Sequence, residues 1–135
     1  MKKIEYYLME HHIDFQKGVK RLTKKKRFVS LPWQVEELEK GLEKGNFPGT
    51  LHRRSNDPVP HEIYKMRLEN PDAHVGKSNG YRIFYLVVTE QKIVAMLTIY
   101  YKKEDEAATD GYIDGLVSGF FLDTLPFDES DRDDE

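Results

Sequence analysis

The stretch YRIFYLVVTEQKIVAMLTIYY, residues 81–101, decides the fold. Residues 81–88 and 93–101 are dense in aromatic and β-branched side chains, which favour extended strands. The residues between them, TEQK, are polar and few enough to form a turn. Two strands joined in this way predict an antiparallel hairpin, and the other elements are interpreted outward from it.

One more strand and a loop are predicted directly before the hairpin. Residues 63–68, IYKMRL, have the length and composition of a strand. The segment 46–60 contains three prolines and a glycine, which predicts a loop that is ordered by contacts of its own.

A strand and two amphipathic helices are predicted nearer the N-terminus. Residues 4–8 alternate with the period of a strand. Asp14 would cap a first helix, whose apolar face is formed by Phe15, Val19 and Leu22. Ser30 and Pro32 would begin a second helix, whose apolar face is formed by Val35, Leu38 and Leu42.

A weaker helical pattern follows Glu106 and completes the chain's order of elements. Helices and strands that are segregated along the sequence predict an α+β fold. The expected order is β-α-α-β-β-β, with an antiparallel sheet packed on the helical pair and a C-terminal helix. Residues 1–122 would form a single domain, because 135 residues suffice for about one.

The charge of the chain is unevenly distributed. The whole sequence has a formal net charge of −3, yet the end from Asp123 onward holds seven of the 24 acidic residues and one of the 21 basic ones. Residues 1–122 therefore carry a net charge of +3. An acidic end such as 123–135 is typically disordered. The alternative is that it folds back over a basic groove.

Composition also excludes several classes of protein. Without cysteine, disulfides and thiolate zinc sites are excluded. No apolar run approaches the roughly 20 residues of a membrane helix, and residues 1–5 lack the features of a secretory signal. The expectation is a cytoplasmic protein without a membrane partner.

The letters GKS at residues 76–78 resemble the end of a nucleotide-binding phosphate loop, but the context does not fit. Such a loop needs a glycine five residues before its Gly-Lys-Ser and must open a helix, whereas Pro71 occupies that position and a strand follows. His11 and His12 are adjacent and have no HExxH spacing nearby. Neither a nucleotide cofactor nor a metal site is therefore expected.

Basic and aromatic residues are interleaved on the predicted strands. Lys65 and Arg67 are two apart, so their side chains leave the same face of one strand. Arg82 lies on the next strand, and several tyrosines surround these cations in the sequence. Such a face suits an RNA backbone and its unstacked bases. The alternative is an ordinary solvated face whose cations pair with neighbouring carboxylates.

Three segments in order resemble the RelE/ParE toxin superfamily, and most closely its HigB-like RelE branch. They are IYKMRL at 63–68, GKSNGYRIFY at 76–85 and LTIYYKK at 97–103. The branch has a Lys-x-Arg strand, a Gly-Lys-x-x-Gly loop leading into a Gly-x-Arg strand, and a Leu-Thr-Ile-Tyr-x-Lys strand at similar separations. The resemblance covers roughly residues 4–106 and is weak before residue 60.

The resemblance implies the toxin of a type II toxin-antitoxin system, an endoribonuclease (mRNA interferase) that cleaves messenger RNA on the ribosome. Its partners would be a cognate antitoxin, the ribosome and messenger RNA, without a cofactor. The implied catalytic residues are Lys65, Arg67, Arg82, Lys102 and Lys103, and the implied RNA-binding residues are Lys77, Tyr81, Tyr100 and Tyr101.

The chemistry needs a base, an acid and cations. Lys65 is the candidate base for the ribose 2′-hydroxyl, since cationic neighbours favour its neutral amine. Arg82 would stabilise charge on the phosphate. The general acid that several such toxins carry near the C-terminus has no close match, because the next candidate after Lys103 is Tyr112. Two alternatives stay open: a ParE-like inhibitor of DNA gyrase, and a non-catalytic RNA- or protein-binding module.

Overall fold

A five-stranded sheet forms the centre of the protein. The computed structural model describes residues 6–124, and its strands are ordered β1-β5-β4-β3-β2. They are β1 (Leu8–His11), β2 (Thr50–Ser55), β3 (His61–Leu68), β4 (Tyr81–Val88) and β5 (Ile93–Tyr101). The helices are α1 (Ile13–Lys20), α2 (Leu31–Glu43) and α3 (Asp110–Thr124). The α+β class predicted from the sequence is confirmed.

The predicted hairpin is present with the predicted bounds. Strands β4 and β5 pair antiparallel, with Val88 opposite Ile93 and Tyr81 opposite Tyr101. Every residue of β4 is buried, which explains why its sequence is an almost continuous run of aromatic and branched side chains. A register shift follows Phe84, where β5 carries one extra residue.

The predicted first strand is displaced, and its pairing makes the sheet mixed and not antiparallel. Strand β1 begins at Leu8 and runs parallel to β5, with Leu8 opposite Ile93. The residue before it is held elsewhere, because the Tyr7 N–H donates to the Glu43 carbonyl and its ring packs on Phe47. Residues 1–5 lie outside the described part of the chain.

The predicted loop 46–60 contains a strand, which corrects the expectation. Strand β2 pairs antiparallel with β3, from Thr50 opposite Lys65 to Ser55 opposite His61. Its side chains are mostly exposed and polar, so the sequence lacks the apolar alternation that normally identifies a strand. Because β2 stops pairing at Lys65, the edge of β3 beyond that residue is open.

Helices α1 and α2 cover one face of the sheet. The predicted apolar faces are confirmed, since Phe15, Leu22 and Leu42 are buried in the main core. Helix α1 is capped by His12 and not by Asp14, because the His12 ring accepts a hydrogen bond from the Asp14 N–H. A short π-helical segment, Arg21–Lys25, continues α1.

Helix α3 covers part of the opposite face. Its apolar residues form a second core with strand residues whose side chains leave the sheet away from α1 and α2. Two contacts link its first turns to β2: a hydrogen bond between His52 and Asp110, and an ion pair between Arg53 and Asp114. The sheet therefore lies between two helical layers, and not on a helical pair alone.

Most of the predicted acidic end, residues 123–135, lies outside the residues that the structure describes. Helix α3 extends through Thr124, two residues past the expected domain boundary, and residues 125–135 lie outside the described residues. Within residues 6–124, no helix has the length and apolar character needed to cross a membrane.

Candidate functional site

Two rows of residues cross strands β3, β4 and β5 on the face of the sheet that carries α3. In the first row, Arg67 lies opposite Arg82, which lies opposite Tyr100. Residues directly opposite one another in antiparallel strands share a face of the sheet. The predicted convergence of Arg67 and Arg82 on one face is therefore present.

The second row runs beside the first. Lys65 lies opposite Phe84, which lies opposite Thr98. The Lys65 ammonium sits 5.5 Å from the centre of the Phe84 ring, a cation–π contact. Lys65 is half-buried, with its charge held over this ring.

A cleft of about 550 Å³ opens at the free edge of β3, and we call it the cationic cleft. Four cations line it: Lys65, Arg67, Lys77 and Arg82. Among the residues that the structure describes, no carboxylate lines it. Gly49 forms its rim with φ of +100°, and a Cβ there would lie 2.4 Å from the Lys65 carbonyl oxygen. Only glycine lets the chain pass this close to β3.

Arg82 differs from the other cations because it is buried and its guanidinium is hydrogen-bonded to the backbone. Its guanidinium donates hydrogen bonds to the carbonyl oxygens of Lys77 at 2.8 Å, Ser78 at 2.8 Å and Tyr81 at 3.2 Å. Only 3% of its surface is exposed. Burial, together with the charge of Arg67, lowers the pKa of the Arg82 guanidinium. Arg82 therefore anchors the loop that carries Lys77.

Lys65, Arg67 and Lys77 are the cations of the cleft that can meet a ligand. Arg67 and Lys77 are exposed, and Lys65 is half-buried. None of the three forms an ion pair with a carboxylate between residues 6 and 124. Unpaired cations around an open cleft attract a polyanion.

The tyrosines of the predicted constellation are divided between the two faces of the sheet. Tyr81 and Tyr101 are buried against α1 and α2, where both rings contact Phe28. The expectation that these two rings would stack on bases is therefore corrected by their burial. Tyr100 lies on the same face as Arg82, but it is also largely buried.

Lys102 and Lys103 lie in the turn that follows β5, and both side chains are exposed. The Lys102 N–H donates to the Gly80 carbonyl at 2.9 Å, which joins this turn to the loop before β4. Neither residue lines the cationic cleft. They flank it at the end of the sheet.

A second cavity, of about 450 Å³, lies where α1, β5 and the start of α3 meet, and we call it the Asp14 pocket. The Thr98 hydroxyl donates to the Asp14 carboxylate at 2.6 Å. The pKa of the Tyr112 hydroxyl is raised to about 12. Loss of hydration is the largest cause, and the hydrogen bond to Asp14 and the negative charge of that carboxylate add to it. The sequence analysis missed this site because Asp14 and Thr98 are 84 positions apart and form no motif.

Three of the five histidines make contacts that join elements of the fold. His11 bonds Glu39, His52 bonds Asp110, and the His61 ring contacts Phe121. Among residues 6–124, no three histidine, aspartate or glutamate side chains converge to hold a metal ion.

Comparison with known proteins gives a likeness to a solved structure. No protein-family model matches the chain, and neither does any curated protein. The chain is similar to the crystal structure of the isolated E. coli RelE toxin, P21 form, with 18% sequence identity and a TM-score of 0.46. The match covers 83% of this chain and 97% of that chain. At this identity no residue role carries over, so the roles below rest on geometry in this chain.

Proposed function

We propose that this protein is the toxin of a type II toxin-antitoxin system, a ribosome-dependent endoribonuclease that cleaves messenger RNA. The cationic cleft carries the proposal, because its three available cations and lack of carboxylates suit a phosphate backbone. The motif resemblance to the HigB-like RelE branch agrees with it, since its first two segments contribute the cations of this cleft.

Within this proposal the basic residues have different roles. Arg67 is exposed at the cleft and can contact two phosphate oxygens with its planar fork. Lys65 is the candidate base for the 2′-hydroxyl, and Lys77 adds charge from the loop. Arg82 acts through that loop, because its donors already bond three carbonyl oxygens. Lys102 and Lys103 would contact the RNA beyond the cleft.

The partners follow from the same charges. Ribosome-bound messenger RNA would place a phosphate between Lys65 and Arg67. A cognate antitoxin would neutralise the toxin by covering the cleft, for which an acidic segment is well suited.

The proposal is tested by adding the purified protein to a cell-free translation reaction and mapping cuts in the messenger RNA by primer extension. The native chain should cut the transcript only when ribosomes are present. Arg67→Ala and Lys65→Ala should each lower the cleavage rate by about 100-fold or more, since charge-stabilising and proton-transfer groups typically contribute factors of this size.

Arg54→Ala is the matched control. Arg54 is a cation of the adjacent strand β2, but it pairs with Glu62 at 2.7 Å and does not line the cleft. Its replacement should leave cleavage unchanged. An intact transcript with soluble native protein would refute the nuclease, and gyrase inhibition without transcript cleavage would select the ParE-like alternative.

A further inference from the structure

The Asp14 pocket lies one strand away from the cationic cleft, on the same side of the molecule. Thr98 and Tyr100 line the pocket, and they lie opposite Phe84 and Arg82 on β4. Adjacent strands are about 4.8 Å apart, so the pocket is about 10 Å from Lys65 and Arg67 on β3. The strand residues between the two cavities are buried, so an RNA chain that contacts both must pass over them: Arg82, Phe84, Thr98 and Tyr100.

The charges of the two cavities differ in sign. Asp14, Asp105 and Glu106 line the pocket together with Lys17 and Arg21, and Arg21 is already paired with Asp105 at 2.6 Å. The pocket therefore disfavours a phosphate, whereas the cleft attracts one. A ligand that spans both would place its anionic part in the cleft and hydrogen-bond donors in the pocket.

The Asp14 carboxylate is held in place for such donors. Thr98 is 5% exposed, and its hydroxyl donates to one carboxylate oxygen, Oδ2. The Tyr112 hydroxyl also bonds this carboxylate, so two hydroxyl groups fix its orientation. Asp14 itself is only half-buried and faces the cavity. A carboxylate only accepts hydrogen bonds, so it selects a base edge that donates.

The pocket also offers aromatic surface for a base. Tyr112 is 44% exposed, and its ring lines the cavity together with Tyr100. Gly18, which also lines the cavity, lets α1 pack closely on β5, since a Cβ there would lie 2.8 Å from the Ile99 side chain. A planar base can therefore enter beside Tyr112 and stack on it.

We infer that the Asp14 pocket binds a guanine base of single-stranded RNA, with the Asp14 carboxylate accepting hydrogen bonds from the base's N1–H and 2-amino group. Guanine is the RNA base with two adjacent donors on its Watson–Crick edge, so it matches a carboxylate in a bidentate manner. This inference rests on the proposed function, because the cleft must hold the RNA backbone. It adds base selectivity, with Thr98 as the positioning residue for Asp14.

The test measures binding of the full chain to labelled single-stranded RNA at low salt, by fluorescence anisotropy. Three heptamers are compared: all-adenosine, the same with one central guanosine, and the same with inosine, which lacks the 2-amino group. The guanosine oligomer should bind about tenfold more tightly than the all-adenosine one, within the discrimination of a bidentate contact, and inosine should fall between them.

Asp14→Asn should remove the preference for guanosine and leave the affinity for all-adenosine RNA unchanged. Thr98→Val should reduce the preference in part, which provides a second variant if Asp14→Asn folds poorly. Asp114→Asn is the matched control, because Asp114 lies on α3, pairs with Arg53 of β2 and does not line the pocket. It should retain the full preference.

The outcomes separate the inference from the proposed function. RNA binding that depends on Arg67 but does not distinguish guanosine overturns the guanine pocket alone. RNA binding that Arg67→Ala leaves unchanged contradicts the proposed cleft. If no oligomer binds, the protein is titrated with guanosine 5′-monophosphate and followed by NMR. Chemical-shift changes at Asp14 and Tyr112 would support the guanine pocket, and their absence would overturn it.

Discussion

At the scale of single residues, burial separates two arginines that face each other across β3 and β4. Arg67 and Arg82 are directly opposite, yet one is exposed and the other is 3% exposed. Like charges placed in this way repel, and hydrogen bonds to carbonyl oxygens of the loop stabilise the Arg82 charge. Arg82 supports the site, and Arg67 is free to meet a ligand.

Arg82→Ala should therefore lower the free energy of unfolding by about 1–3 kcal/mol, because buried carbonyl groups lose their donor. Arg67→Ala should change it by less than about 0.5 kcal/mol, as expected for an exposed residue. Urea denaturation measures both. If Arg82→Ala were as stable as the native protein but bound RNA poorly, Arg82 would contact the ligand directly.

Salt dependence measures how many cations contact phosphate. Each phosphate contact in a single-stranded complex contributes about −0.7 to the slope of log affinity against log salt concentration. Arg67→Ala and Lys77→Ala should each make the slope shallower by about 0.7, and Arg54→Ala should leave it unchanged. Anisotropy titrations between about 50 and 200 mM salt provide the slope. Equal slopes for all variants would show that the cleft is not the binding surface.

At the scale of elements, the connection between β3 and β4 depends on one of its two glycines. A Cβ at Gly80 would lie 2.1 Å from the Leu68 carbonyl oxygen and 2.9 Å from that of Gly76. At Gly76 nothing lies within 4 Å, and its φ of −80° suits any residue. The close approach of backbone to backbone therefore occurs at Gly80.

Gly80→Ala should lower the free energy of unfolding by at least about 1–3 kcal/mol, because backbone atoms must move to admit the methyl group. Gly76→Ala is the control and should be neutral or slightly stabilising. Thermal unfolding compares the two. Equal stability of both variants would mean that the loop can rearrange without cost.

Helix α3 is the element that leaves the site partly open, and its packing can be tested. Phe120 is 5% exposed in the second core, whereas Leu122 is 76% exposed. Phe120→Ala should lower the free energy of unfolding by about 3 kcal/mol through cavity formation, and Leu122→Ala should have little effect. Guanidinium denaturation measures the difference. A neutral Phe120→Ala would indicate that α3 unfolds separately from the sheet.

At the scale of the whole molecule, the sheet is covered completely on one face and partly on the other. The two helical layers bury most of the tyrosines along with the sheet. Loss of hydration around the hydroxyl raises the pKa of six tyrosines: Tyr64, Tyr81, Tyr85, Tyr100, Tyr101 and Tyr112. The folded chain therefore holds protons that the unfolded chain releases near pH 10.

Stability should consequently be fully retained below about pH 10 and should fall as the pH rises from about 10 towards 12, because the unfolded state binds fewer protons there. Urea midpoints measured from pH 8 to about 11.5, with tyrosinate absorbance, follow the change. Tyr112→Phe removes one hydroxyl whose pKa is about 12 and should make the decline shallower. A midpoint that does not change up to pH 11.5 would contradict the burial of these hydroxyls.

The sequence by itself determined the elements whose evidence is local. Period and composition predict the bounds of β4 and β5 and the apolar faces of α1 and α2. They also place Lys65 and Arg67 on the same face of one strand. Strand β2 escaped prediction because an exposed strand has no apolar alternation. A first strand was predicted, but not its parallel pairing with β5, because the pairing partners lie far apart in sequence.

Only the tertiary structure decided which of these residues form a site. Strand register placed Tyr81 and Tyr101 in the core and Arg82 beneath the loop, although all three looked alike as members of a basic and aromatic pattern. The contact of Asp14 with Thr98 joins two elements 84 positions apart. Local spacing sets the face of a residue relative to its neighbours, but burial and long-range contacts arise only when strands and helices pack.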